Sequence, residues 1–371
     1  MIAADKPLRY TQKDIKIDGW AIENRIYAED PYRNFLPATG RLTLFNPPDE
    51  RNFCDDTIIR NDTGVEEGDA ISIYYDPLIA KLCSWGKTRD SAIKRMQLAL
   101  DEFTIRGIGN NISFLSAVME HERFINGKTT TGFIDQEFQG GFVGVNAQDL
   151  RKQHLGMIVA GISFLDTLKQ KHTASNLAHP SRESESDEHI VQFLNPLDGQ
   201  LEQEDNLCLK IRDHNGGLQI ECNQKRQTFV QIKIAAHHPQ IVADLVTDGH
   251  EVQYICEVWR NKDRWHIHYR GVNLCAHIRP PRIAQLAHHM KPKKNLDDFD
   301  KLICPMPGNL IKIFVSNGEI VEAGQALCII EAMKMENTLV SKKRCKINKI
   351  MVKEGVILSV DETIMMFSDV S

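Results

Sequence analysis

The chain has 371 residues, 42% hydrophobic and 26% charged, enough for two or three domains with separate cores. Its 45 Lys and Arg against 50 Asp and Glu give a net charge of −5, so neither nucleic acid nor an anionic membrane surface is expected as a partner. Nine cysteines without a C-x-x-C pair read as reduced core thiols, and no bilayer-length apolar run or secretory pattern occurs, which leaves the cytoplasm or a mitochondrial matrix.

In chain order, Ile15 to Asp18 alternates and suggests a half-buried strand. Gly19 to Pro31 alternates again, with Ala21, Glu23, Arg25 and Tyr27 on one face and Trp20, Ile22, Asn24 and Ile26 on the other. A charged pair is costly on an inner face unless paired or used, and merely solvated on an outer one; spacing favours the solvated reading of Glu23 and Arg25. Thr88 to Asp101 has a helical pattern. From Asp149 to Lys169, Leu155, Ile158, Val159, Ile162, Leu165 and Leu168 recur at helical spacing and predict one amphipathic helix, packed on its own domain or docked on another subunit. The polar stretch His172 to Glu188 reads as a solvated loop.

Short strand patterns follow at His189–Phe193, Leu207–Arg212, Leu218–Cys222, Thr228–Ile234, Gln240–Val246, Glu251–Trp259, Trp265–Tyr269 and Val272–Ile278, which suggests an antiparallel barrel or sandwich. His266 and His268 share a strand face, but no third ligand is spaced to join them, so no metal site is expected. His288 to Asp300 mixes charge and proline without a period and reads as a linker. Beyond it lies an internal repeat: Ile313 to Leu327 aligns with Ile350 to Ile364 at an offset of 37, with Gly318 and Gly355 at equivalent turns. Two such halves can pack into a flattened barrel, and Lys334 falls at the join, where a lysine amine is exposed.

Several stretches carry a resemblance. Gly19 to Gly40, with E-N-R-I-Y-A-E-D-P and N-F-L-P-A-T-G, together with Asp69 to Lys81, Thr88 to Asp101 and Ile105 to Asn111, is similar to the C-terminal domain of the biotin carboxylase component of biotin-dependent carboxylases. The resemblance implies that Arg25 positions biotin and stabilises its enolate-like ureido oxygen as carbon dioxide is transferred. A guanidinium suits that task because it stays protonated and presents directional donors. Asp76 matches a family aspartate near the same site, although Asp-Pro is equally a turn. The helix and strand-rich region resembles the mediating domain of propionyl-CoA carboxylase alpha subunits, which binds the carboxyltransferase beta subunit; methylcrotonyl-CoA carboxylase has a comparable layout.

Pro305-Met-Pro-Gly308 and Ala332-Met-Lys-Met335 resemble the biotin carboxyl carrier domain. This implies biotin joined covalently to Lys334 by a biotin protein ligase. Met333 and Met335 would be read by the ligase or line a docking surface, and packing at the hairpin is the plainer reading. Lipoyl carriers share the fold without the paired methionines. Lys343-Arg-Cys345 and Ser359-Val-Asp361 stand where the family commonly has glycines, so strained turns are expected there.

The expected architecture is α+β and multidomain: a biotin carboxylase C-terminal domain at 1–138, a mediating domain of helix plus antiparallel β-barrel at 139–288, a linker at 289–300, and a biotinyl/lipoyl-type flattened β-barrel at 301–371. In the family, ATP, magnesium or manganese and bicarbonate are bound largely by an ATP-grasp half, whose glycine-rich loop is not found in this sequence. The resemblance therefore implies a C-terminal part of an acyl-CoA carboxylase alpha subunit. It would be inactive alone, and its partners would be the ATP-grasp half or a fuller alpha subunit and the carboxyltransferase. The alternative is a catalytically silent biotin carrier and assembly module.

Overall fold

The computed structural model describes residues 1–50, 56–72, 74–174, 186–194, 206–214, 216–223, 226–234, 240–287, 289, 301–332 and 335–368. Its first unit is built on strand Trp20–Tyr27, which pairs antiparallel with Leu78–Gly86; that strand pairs in turn with Ile58–Thr63. The alternation works as read, with Asn24 and Ile26 buried while Glu23 and Arg25 point outward. Helix Arg89–Glu102 covers the inner side. Thr88 caps it, its Oγ1 accepting from Ser91 N at 3.1 Å, and Met96, Ala99 and Leu100 share a core with Ile26, Ile59 and Leu82. Ile15 to Asp18 does not form the expected strand: it follows a one-turn 3-10 segment, Gln12–Asp14, and Ile17 is 97% exposed. Alternation makes a strand only where a neighbouring strand takes up the backbone groups, and no described strand pairs there.

All eight expected strands of the middle region occur, and they close into one antiparallel barrel. The ring runs from Ser186–Leu194 to Val272–Arg279, and these two strands pair with Val191 opposite Ile278. Helix Asp149–Ala174 is not amphipathic in the way its spacing suggested, because residues 154–162 are buried on every side. Strands Arg226–Ile234 and Val272–Arg279 stand on opposite sides of the ring, and both pack on the helix. The barrel therefore encloses the helix. Leu155, Ile158, Val159, Ile162 and Phe164 share one core with Val191, Leu209, Ile220, Val230, Leu245 and Ile267. Small residues let the wall close. A Cβ on Gly156 would stand 2.7 Å from Leu207 Cδ1, and one on Gly161 would stand 2.9 Å from Leu218 and Ile232 Cδ1. Of the two readings of this helix, the structure favours packing on its own domain.

The barrel seats on the first unit through half-buried charge. Arg270, in the turn before Val272, donates to Asp101 Oδ2 at 2.7 Å and to Glu120 Oε1 at 3.1 Å. Arg151 of the enclosed helix donates to Glu120 Oε2 at 2.9 Å. Asp101 and Glu120 lie at the C-terminal ends of helices Arg89–Glu102 and Ile112–Glu120.

The third unit is a pair of four-stranded sheets. The repeat is visible in its core: Leu310, Val321 and Leu327 are buried, and so are Ile347, Leu358 and Ile364, their counterparts 37 residues on. Gly318 and Gly355 both have positive φ, 86° and 80°. Gly324, at 84°, corresponds to Asp361 at 63°, so the strain expected of Ser359–Asp361 is present at Asp361. The strain expected of Lys343–Cys345 is absent, since none of the three has positive φ. Cys345 corresponds to Gly308, where glycine serves close approach rather than φ, and the Cys345 side chain is taken into the core. Eight cysteines are described and all are free thiols; Cys208 is exposed and Cys83 half-buried, so these two are not core thiols as read. Cys54 lies outside the described residues.

Gly156→Val should lower the stability of the barrel by ~1–3 kcal/mol, because the added methyls have no room between Leu207 and Phe193. A denaturant titration read on the barrel's buried Trp265 checks this, and an unchanged midpoint would mean the wall can expand.

Candidate carrier hairpin and carboxylation face

The carrier hairpin joins Ala326–Ala332 to Met335–Val340, with Glu331 opposite Glu336 and Ala332 opposite Met335. That register leaves a two-residue connection, Met333 and Lys334, which both lie outside the described residues. Met335 is 43% exposed, so its thioether is open to a partner and not consumed by packing. Beneath the hairpin runs the segment Cys304 to Gly308. A Cβ on Gly308 would lie 2.6 Å from Glu331 O, so a glycine is needed for the two backbones to meet. Met306 is buried there, with Asn337 Nδ2 at 3.9 Å from its sulfur.

On the first unit, Arg25 Nε donates to Glu23 Oε1 at 3.0 Å, with the two side chains 55% and 45% exposed. The Glu23 bond leads the causes that raise the Arg25 pKa further, so the guanidinium is permanently charged. Lys81 stands directly across from Arg25, and Asp62 across from Lys81. Arg60 donates to Asp62 Oδ2 at 2.9 Å. This outer face thus carries three cations, Arg25, Lys81 and Arg60, against Glu23 and Asp62. Cys83 lies among them, but burial pushes its thiol up and away from thiolate chemistry. Asp76 Oδ1 accepts from Leu78 N at 3.0 Å, the turn role that an Asp-Pro step allows, at the entry to the strand opposite Arg25. Burial, and then the Asp76 charge, raise the neighbouring Glu29 carboxyl. Sequence reading found Arg25 and Glu23 but not Lys81 or Arg60, whose place on this face depends on cross-strand register; the outward position of Lys81 in its own alternating strand was the available signal.

The two histidines weighed as metal ligands serve other ends. His266 stacks on Trp259, ring centroids 5.2 Å apart and planes 7° from parallel. His268 Nε2 is enclosed without a hydrogen-bond partner among the described residues, and burial lowers its pKa to about 4. It lines a cavity of about 90 Å³ with Asp101, Glu257 and Arg270. No group of three His, Cys, Asp or Glu among the described residues is arranged to hold a metal ion, and no described helix is long and apolar enough to cross a membrane.

Residues 23–136, which carry the Arg25 face, match the biotin carboxylase C-terminal domain, and residues 300–367, which carry the hairpin, match the domain described as biotin-requiring enzyme. Across 99% of its length the chain is 39% identical to the propionyl-CoA carboxylase alpha chain of Ruegeria pomeroyi, covering 54% of that protein. The chain carries a biotin carboxylase C-terminal domain and a biotin-requiring-enzyme domain. Against the mitochondrial propionyl-CoA carboxylase alpha chain of Homo sapiens, the chain is 31% identical over 95% of its length, covering 47% of the human protein. Against the mitochondrial methylcrotonoyl-CoA carboxylase subunit alpha of Oryza sativa, identity is 30% over 91% of the chain and 48% of the relative. The chain spans about half the length of the curated relatives it matches.

The enclosed His268 gives the chain a pH dependence. Its folded pKa, about 4, lies below the ordinary 6.5, so its stabilising contribution is full above pH 6.5 and is lost as pH falls toward 4. The loss amounts to ~3 kcal/mol at most. Asp101 acts with opposite sign, since burial raises its carboxyl from 3.8 to about 6. The comparison is therefore between wild type and His268→Gln: wild type should lose stability relative to the variant between pH 6.5 and 4, measured by denaturation at several pH values. Parallel curves would show that the imidazole is not held neutral.

Proposed function

We propose that this chain is the C-terminal part of a propionyl-CoA carboxylase alpha subunit, with biotin attached to Lys334. The observation that carries the reading is the two-residue connection between Ala332 and Met335, which leaves a lysine at the turn of a hairpin whose following methionine is exposed. A biotin protein ligase would acylate the Lys334 amine, which removes its charge, with Met333 and Met335 as the adaptable surface that the ligase and later partners read. Once attached, biotin supplies a ureido nitrogen that takes up and hands on a carboxyl group.

The chain's own contribution to that exchange is Arg25. Glu23 holds its Nε, so the guanidinium is oriented before any ligand arrives, and its fixed charge suits an oxygen that becomes negative. Lys81 and Arg60 add positive potential on the same face, and Asp76 shapes the turn at its edge. ATP, magnesium or manganese and bicarbonate belong in this reading to an ATP-grasp half acting with this chain. The barrel region, matched by neither domain family yet similar throughout to propionyl-CoA carboxylase alpha chains, supports a carboxyltransferase beta subunit as partner. The setting would be cytoplasm or mitochondrial matrix. Methylcrotonyl-CoA is the second substrate reading, favoured by the rice relative at lower identity and coverage of this chain.

Co-production with a biotin protein ligase should add the mass of one biotinyl group at Lys334 and nothing to Lys334→Arg. An unmodified Lys334, or a lipoyl group in its place, would defeat the carrier reading.

A further inference from the structure

Residues 29–37 form a small hairpin in which Glu29 pairs with Pro37 and Asp30 with Leu36. Its tip is a 3-10 turn, Pro31–Arg33, followed by Asn34 and Phe35 at φ 55° and 57°. Two successive non-glycine residues in the left-handed region persist only where their surroundings over-determine them. Here the hold comes from several sides. Asp30 Oδ1 accepts from Tyr32 N at 3.0 Å, and Asp30 O from Phe35 N at 2.9 Å. Phe35 meets Phe114 edge-on at 4.9 Å within the first unit. Asn273 of the barrel donates to Tyr32 Oη at 2.6 Å.

The two side chains left over reach the third unit. Arg33 Nη2 donates to Pro305 O at 2.8 Å, and Leu36 packs against the carrier core. Beside this contact is a cavity of about 200 Å³ whose lining includes Ile108, Met306 and Val360. We propose that the tip of this hairpin is a latch that docks the carrier of the same chain by its Pro305–Pro307 edge. That edge continues into Gly308 under Glu331, and Met306 touches Asn337, so the docked edge directly underlies the hairpin that bears Lys334. Docking thereby fixes which end of the carrier is turned toward the carboxylase unit.

Among the described residues the contact is small: one guanidinium-to-carbonyl bond and one part-buried leucine. It holds because the chain keeps the carrier at high local concentration, and it opens readily because little is lost on opening. A carrier that serves more than one surface needs both properties; this consequence rests on the carrier reading, whereas the docking does not.

Nitrogen-15 relaxation of the full 42.2 kDa chain tests the latch. In wild type, carrier amides should relax with the slow tumbling of the rest. In the Arg33→Ala, Leu36→Ala double variant their apparent correlation time should fall several-fold while barrel amides keep theirs. Val360→Asp, a change at an exposed carrier residue, should release the carrier from the other side. Wild-type carrier amides that relax as a free small domain, or variants that relax as wild type, would overturn the proposal. Lys334→Arg should dock as wild type does. A docked carrier that takes no biotin would count against the carrier reading alone, and a biotinylated carrier that tumbles freely against the latch alone.

Discussion

The half-buried Arg270 guanidinium, held between Asp101 and Glu120, is the joint on which the larger part of the molecule depends. Arg270 sits in a barrel turn at φ 46°, and both carboxylates sit at helix ends of the first unit. Burial pushes Asp101 up to about 6 even against the pull of Arg270, so the carboxylate is tolerated in that place only with the guanidinium present. Arg151, bound to the other side of Glu120, extends the joint into the enclosed helix. The barrel is thus fixed to the carboxylase unit through its own core element, which is a firm way to hold a large module at a set orientation. The carrier, by contrast, is attached among the described residues by one hydrogen bond and one leucine.

This difference in attachment suits the roles proposed for the units. The Arg25 face is an open sheet surface in which the pairing of Glu23 with Arg25 and of Arg60 with Asp62 orients the guanidinium groups without burying them. Exposed pairs of this kind add little stability, so their value lies in where they hold charge. The hairpin that bears Lys334 is stiff for a different reason. Its strand Ala326–Ala332 is central in its sheet, flanked by Gly308–Ile313 and Met335–Val340, which hold it by hydrogen bonds on both edges. A rigid element of this kind would suit the carrier role proposed for Lys334.

Much of this was legible in the sequence. Period-2 alternation located all eight barrel strands and put Arg25 and Glu23 outward, because side-chain direction along a strand is fixed by geometry alone. The 37-residue repeat located the carrier halves, and the absence of glycine at Asp361 foretold a strained turn that the structure contains. What failed was whatever depended on distant neighbours. Closure of the barrel is a pairing of Val191 with Ile278, far apart in sequence. The helix was expected to be amphipathic, whereas it is buried all round where Gly156 and Gly161 let the wall come close. Ile15 and Ile17 alternate without a described strand to pair with. Lys81 and Arg60 joined the Arg25 face only once the register of three strands was known.

In the proposed function Arg25 serves biotin attached to Lys334. The most direct test is bicarbonate-dependent transfer of a carboxyl group to that biotin, in a complex completed with the ATP-grasp half, for wild type against Arg25→Ala. A loss of ~10²–10³-fold in rate is expected, with biotin loading of Lys334 unchanged. A rate equal to wild type would contradict it and remove Arg25 from the site.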